Sequence, residues 1–392
     1  MNLLPNPYMP QSFPLILAGR EHELSTGVQV IASTLPTGHA AKGGVVLYGV
    51  RGVGKTSALR EISRIANEEY GFVSAWVSAA KGQPFLPSLA VTIKNTLENY
   101  QIVPEGKWSL DSLGLSVSAG PLKASATAKK AQNGAPSEWT VSDVETLLRK
   151  SAALCQYRDG SNAGSGLLLF VDEMHAIKSN ELAVLLNALQ NISHDDMFSP
   201  RFVFLGAGLP SVRGIITAAA TFGERSRFMP IGDLSSEATR RALIEPALAM
   251  SVTYDAEALE LLAEATGGYP YFVQLFGYHA WQAARPESGA KISVERAAEG
   301  IQAAKTDVKN LFTARFTGAT ASEREFIIAL AQQAGDNSAK RADIAKLLGR
   351  STQSISDVRS KLIDKAIITE EDHGHVRFTV PGFAQFVLTE IA

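Results

Sequence analysis

The segment Gly49-Val50-Arg51-Gly52-Val53-Gly54-Lys55-Thr56-Ser57 constrains the chain more than any other. It is glycine-rich, yet it follows the apolar run Gly43–Tyr48 and precedes an amphipathic stretch from Lys55 to about Tyr70. A strand must therefore end, turn sharply and open a helix. Such a turn points backbone N–H groups inward, and the helix N-terminus adds partial positive charge. The spacing G-x-x-x-x-G-K-[ST] is that of a phosphate cradle. It makes Gly49, Val50, Arg51, Gly52, Val53, Gly54, Lys55, Thr56 and Ser57 candidate residues for binding ATP or ADP. Lys55 is expected to reach the β- and γ-phosphates, and Thr56 to offer its hydroxyl to Mg²⁺.

The surrounding pattern makes the fold α/β. Short apolar runs at 43–49, 72–79, 166–173, 201–208 and 227–234 alternate with longer amphipathic stretches. Continuously apolar strands between helices predict a parallel sheet covered on both faces. The third run, Gly166-Leu167-Leu168-Leu169-Phe170-Val171-Asp172-Glu173, ends in two carboxylates. Asp172, at the end of its strand, is the candidate Mg²⁺ ligand. Glu173 is the candidate group that orients and polarises the attacking water. Alternatively, both cap the following helix. Arg225 and Arg227, just before the fifth run, are candidates for a finger acting on a neighbouring subunit's ATP. The plain alternative is a pair of surface arginines.

After Leu234 the pattern changes. Ser235 or Ser236 caps a helix, and helices near 255–266, 269–284 and 293–315 follow. A third pattern begins near Ala319, with helices near 321–334, 340–348 and 352–366. Two extended runs, Ala366–Glu371 and His375–Val380, flank a turn at 372–375. Three helices and a two-stranded wing describe a winged helix-turn-helix. The expected division is 1–234, a nucleotide-binding domain; 235–318, a helical lid; and 319–392, a winged helix domain. Residues 112–136 read either as a protruding hairpin or as a flexible insertion.

Composition narrows the function classes. Of 392 residues, 45% are hydrophobic and 19% charged, which suits packed domains rather than disorder. A net charge of −2 means that nucleic-acid binding needs a local basic patch. One cysteine, Cys155, excludes an intramolecular disulfide and fits a reducing cytoplasm. The N-terminal stretch lacks the features of a secretory signal. No run approaches the roughly 18 apolar residues of a membrane span, so no membrane partner is expected.

Taken in order, these motifs resemble those of the AAA+ ATPases, especially the origin-recognition and archaeal-initiator-like group. Leu17-Ala18-Gly19-Arg20-Glu21 resembles that group's N-terminal motif, which implies Gly19 and Arg20 near the adenine. The loop at 49–57 and the Asp172-Glu173 strand match the two Walker motifs. Thr266-Gly267-Gly268-Tyr269-Pro270-Tyr271 resembles the GxP motif of the lid, implying Pro270 and Tyr271 near base or ribose. Otherwise Tyr269 and Tyr271 are lid-core aromatics. Two positions depart from the family pattern. The sensor-1 strand ends in Gly206-Ala207-Gly208 without a polar group, and the lid turn lacks an arginine. The resemblance therefore implies a homo-oligomerising ATP hydrolase that works slowly or with partner stimulation, as a switch.

The C-terminal region suggests what is switched. Ser351 or Thr352 can cap a helix whose Ile355, Val358 and Leu362 form an apolar face. Thr352, Gln353, Ser356, Arg359 and Lys361 then project elsewhere and are the candidate contacts to double-stranded DNA. Between Lys340 and Lys365, positive charges exceed negative ones by four. The wing's Glu370, Glu371 and Asp372 reverse that surplus. Winged helices also dock proteins, so a signalling or defence switch with a protein effector stays open. So does a transposition-type ATPase that recruits a partner to DNA.

Overall fold

The computed structural model describes residues 4–103, 139–156, 166–195, 200–220, 222–371 and 374–391. The expected insertion at 112–136 lies outside them. The chain divides into two compact units: residues 22–48 with 58–230, and residues 1–21, 49–57 and 231–392.

The elements run α1 (Glu21–Thr37), β1 (Val45–Tyr48), α2 (Lys55–Glu68), β2 (Val73–Ser78), α3 (Phe85–Asn99) and α4 (Val141–Gln156). They continue β3 (Leu167–Asp172), α5 (Ser179–His194), β4 (Phe202–Gly208), α6 (Val212–Ala219), α7 (Phe222–Arg225) and β5 (Arg227–Pro230). The five strands form one parallel sheet in the order β2-β3-β4-β1-β5. Leu167 to Asp172 are all buried, as a strand covered on both faces requires. Leu86, Leu89 and Ile93 of α3, Leu147 and Leu148 of α4, and Leu182, Leu185 and Leu189 of α5 pack in the core beside the strands. Trp76 of β2 stacks on Phe170 of β3 at 4.1 Å between ring centroids. The fifth strand ends at Pro230, earlier than the expected 234. Proline lacks the N–H that a ladder needs, and the chain leaves the sheet there.

The second unit holds the glycine-rich loop and two successive groups of elements. The first comprises α8 (Ser236–Ala249), β6 (Thr253–Tyr254), α9 (Ala256–Thr266), α10 (Pro270–Ala284), β7 (Lys291–Ile292) and α11 (Val294–Thr317). Ser235 caps α8 by accepting from Ala238 N–H at 3.2 Å. Gly267, in the left-handed region at φ 57°, ends α9, and Pro270 opens α10.

The second group comprises α12 (Ala321–Ala334), β8 (Ala339–Lys340), α13 (Arg341–Leu347), α14 (Ser356–Asp364), β9 (Ile368–Glu371), β10 (His375–Phe378) and α15 (Phe383–Glu390). A full capping box starts α12: Thr320 and Glu323 each satisfy the other's backbone N–H. The strands pair antiparallel in the order β8-β10-β9, one strand more than the sequence pattern suggests. The added strand is two residues long, too short to leave an alternating signature. The expected helix from 352 instead begins at Ser356. Ser351 Oγ accepts from Ser354 N–H, and Ser354 and Ser356 hydroxyls donate to the carbonyls of Ser351 and Thr352. These local bonds hold a turn where the pattern predicts helix. Phe383 and Phe386 of α15 pack against Phe312 of α11. Among the described residues, no helix is long and apolar enough to cross a membrane.

Candidate nucleotide site

The loop leaves β1 at Tyr48 and returns as α2. Gly52 and Gly54 take φ of 81° and 91°, which side chains disfavour. A Cβ on Gly49 would stand 2.0 Å from the Ile231 carbonyl oxygen. Each glycine the motif demands is thus required by close approach or by backbone sign. Lys55 is buried at 6% exposure, and its Nζ donates to the carbonyls of Gly49 at 2.9 Å and Val50 at 2.8 Å. Its ammonium is therefore curled over the loop, beside the N-terminus of α2. Positive-φ glycines, a helix N-terminus and a held ammonium suit a nucleotide's phosphates.

Two further parts of the same unit brace the loop. Arg20, 5% exposed, donates from Nη2 to Val53 O at 3.0 Å and to Gly232 O. Gly19 sits at φ 70° against Ala238. The structure thus gives Arg20 a loop-supporting contact, a role that the sequence pattern does not specify. From the lid turn, Tyr269 is 1% exposed and donates its hydroxyl to Arg51 O at 2.7 Å. Pro270 fixes the first turn of α10, and Tyr271 is only partly buried. Of the two tyrosines, Tyr269 is the one that touches the loop. A Cβ on Gly52 would lie 2.1 Å from its hydroxyl.

Arg315, near the end of α11, extends this contact. Its positive charge acts on the Tyr269 hydroxyl. Nη1 also donates to Ala366 O and Thr379 Oγ1, each at 3.1 Å. Thr379 Oγ1 in turn donates to Ala366 O at 2.7 Å. These acceptors are neutral. Burial therefore lowers the Arg315 pKa, and the nearby Arg51 charge lowers it further. Burial likewise raises the Tyr269 pKa and that of the Asp233 carboxyl, the latter opposed by Arg377 and Arg20. Nothing in the sequence marks Arg315. It joins residues far apart along the chain.

In the other unit, β1, β3 and β4 all end at one edge of the sheet, with β4 between the other two. Asp172 closes β3 at 8% exposure, and its Oδ1 accepts from Glu173 N–H at 2.7 Å. Glu173 takes the left-handed conformation, φ 54° and ψ 36°. A non-glycine residue there stores strain of about 1–3 kcal/mol, a feature that clusters at functional sites.

Residues 16–203 match the family model described as the AAA ATPase domain. Residues 309–387 match a second model, described as a domain of unknown function (DUF8462). None of the curated proteins matches the sequence. Two solved structures share the fold across nearly the whole chain. The Walker-type ATPase PABY2304 of Pyrococcus abyssi is 14% identical with a TM-score of 0.61, covering 99% of both chains. The Aeropyrum pernix ORC2 protein, in its ADPNP–ADP complexes, is 14% identical with a TM-score of 0.59. That match covers 96% of this chain and 95% of the other.

The remaining candidates lie elsewhere. Arg225 ends the four-residue α7, and Arg227 opens β5, opposite Val45 of β1. Both are exposed, at the N-terminal end of β5 and just before it. Thr352 and Gln353 lie on the turn before α14, and Ser356 begins the helix. Arg359, its side chain 17% exposed, pairs with Glu370 of β9. Lys361 pairs with Asp357 one turn earlier, at 2.6 Å.

Proposed function

We propose that the protein is an ATP hydrolase acting as a nucleotide-dependent switch, in which loop occupancy is transmitted to the C-terminal elements. The observation that carries this reading is the bond of the Tyr269 hydroxyl to Arg51 O beside the bonds of Arg315 to Ala366 O and Thr379 Oγ1, with the Arg315 charge acting on the Tyr269 hydroxyl. Together these join the phosphate loop to the C-terminal elements inside one compact unit. In this reading, the loop N–H groups and Lys55 hold the phosphates, and Arg20 and Tyr269 hold the loop. Thr56 and Asp172 are the Mg²⁺ ligands. The metal neutralises phosphate charge when bound. Glu173 takes a proton from the attacking water. Arg225 or Arg227 acts on a neighbouring subunit's nucleotide, which their exposure supports. We assign the elements 319–392 as a winged helix, with the lid at 235–318 and the nucleotide-binding domain at 1–234, in a cytoplasmic protein.

Contact with double-stranded DNA runs, in this reading, through Thr352, Gln353, Ser356, Arg359 and Lys361 before and along α14. A second reading is favoured by the ion pairs of Arg359 with Glu370 and of Lys361 with Asp357. These pairs neutralise the basic face, so the winged helix docks a protein effector instead. One experiment separates the two. Oligomeric state is measured by light scattering with ADP and with a non-hydrolysable ATP analogue, each with and without duplex DNA. Assembly that requires both the analogue and DNA supports DNA contact. Assembly with the analogue that ignores DNA supports the effector reading. An oligomeric state that ignores nucleotide refutes the switch.

A further inference from the structure

The end of β4 carries no polar side chain, and its packing explains why. Met174 is fully buried, and its Sδ lies 2.3 Å from where a Cβ on Gly206 would stand. At Gly208 a Cβ would meet Val212 Cβ at 2.8 Å. Ala207, between them, is fully buried. A polar group projecting from this stretch is therefore sterically barred. The 3-10 turn Met174–Ala176, which follows Glu173, packs against β4 instead.

His175 lies on that turn, its side chain 13% exposed. Its Nδ1 accepts from Leu209 N–H, the first residue after β4, at 3.3 Å. Its Nε2 lies 3.3 Å from Glu173 Oε2. A backbone N–H can only donate, so Nδ1 carries no proton and the ring proton of the neutral imidazole is on Nε2. That proton faces the Glu173 carboxylate. The imidazole thus ties the carboxylate of a left-handed, strained residue to the end of the neighbouring strand. Glu173 has three side-chain rotations to lose, and a second anchor selects among them.

We propose that His175 is the positioning residue for Glu173, supplying from the 3-10 turn the polar group that β4 cannot carry. The inference rests on Glu173 being the base in the function proposed above. His175 touches neither water nor phosphate in this role. It sets where the carboxylate points, so its loss is felt in turnover and not in ATP affinity.

The test uses the full chain, with single-turnover ATP hydrolysis and ATP affinity measured on the same preparations. His175→Phe keeps the ring volume and removes both nitrogens. His175→Gln retains an amide donor near the position of Nε2. Glu173→Gln and the double variant Glu173→Gln/His175→Phe complete the set. The expected result is a turnover loss of about tenfold or more in His175→Phe with ATP affinity unchanged, since one base-orienting contact is worth about this much. His175→Gln should recover part of the loss, and His175→Phe should add nothing to Glu173→Gln. Wild-type turnover in His175→Phe, with Glu173→Gln impaired, overturns the inference while leaving the base assignment standing. Wild-type turnover in Glu173→Gln overturns the base assignment and the inference with it. Equal losses of affinity and turnover in both histidine variants would show that the residue only holds the fold together, which also overturns it.

Discussion

Removing one oxygen tests whether the phosphate loop and the C-terminal elements are coupled. In Tyr269→Phe the ring remains, still buried and edge-on to Phe272 at 5.0 Å. The lost groups are the 2.7 Å hydrogen bond to Arg51 O and the hydroxyl beside Arg315. The first is a neutral bond, worth about 0.5–1.5 kcal/mol net. A stability loss of about 0.5–1.5 kcal/mol follows by urea unfolding. If about 1.4 kcal/mol of it falls on loop order, ATP affinity drops about tenfold, read with a fluorescent nucleotide. Hydrogen exchange around Ala366 and Thr379 should slow on ATP binding in the wild type and lose that response in the variant. A cycle with Arg315→Met should show a coupling energy of about 0.5–3 kcal/mol. Additive effects, together with a preserved exchange response, would refute the coupling.

Three further outcomes are expected. Gly52→Ala places a methyl group 2.1 Å from the Tyr269 hydroxyl at φ 81°, so nucleotide affinity should fall at least about tenfold while far-ultraviolet circular dichroism is unchanged. Arg225→Ala and Arg227→Ala proteins, each mixed with Lys55→Ala protein, should regain turnover only where the removed arginine acts across subunits; an arginine whose variant is fully active alone is not the finger. At Glu323, burial raises the carboxyl pKa, but hydrogen bonds from Lys365 Nζ and Thr320 N–H, each at 2.6 Å, outweigh it and hold the pKa below its usual value. A depressed folded-state pKa contributes stability that is present above the unfolded carboxyl value, about 4.3, and lost as pH falls through the lower folded value. Glu323→Gln should therefore unfold more easily at neutral pH and lose less of its stability on acidification, by thermal melts across that range.

The local parts of this protein are legible in sequence because their geometry is set by neighbours. Gly52 and Gly54 announce positive φ, and Leu167–Val171 announces a strand buried on both faces. Asp172 ends that strand because the apolar run ends there. Helix α14 starts four residues later than its pattern predicts because Ser351, Ser354 and Ser356 can bond to helix or to turn, and composition does not choose between them. Strand β8 leaves no signal because two residues show no period.

The sequence by itself determined the parallel sheet, the phosphate loop and the acidic pair, since hydrophobic period, glycine spacing and strand ends are local properties of a chain. Tertiary structure decided which side chains serve them. Tyr269 bonds to the loop, Arg315 bonds to Ala366 and Thr379, and His175 meets both Glu173 and Leu209. Each of these contacts depends on how separate elements pack. Packing depends on the whole set of buried volumes, so no short stretch of sequence encodes it.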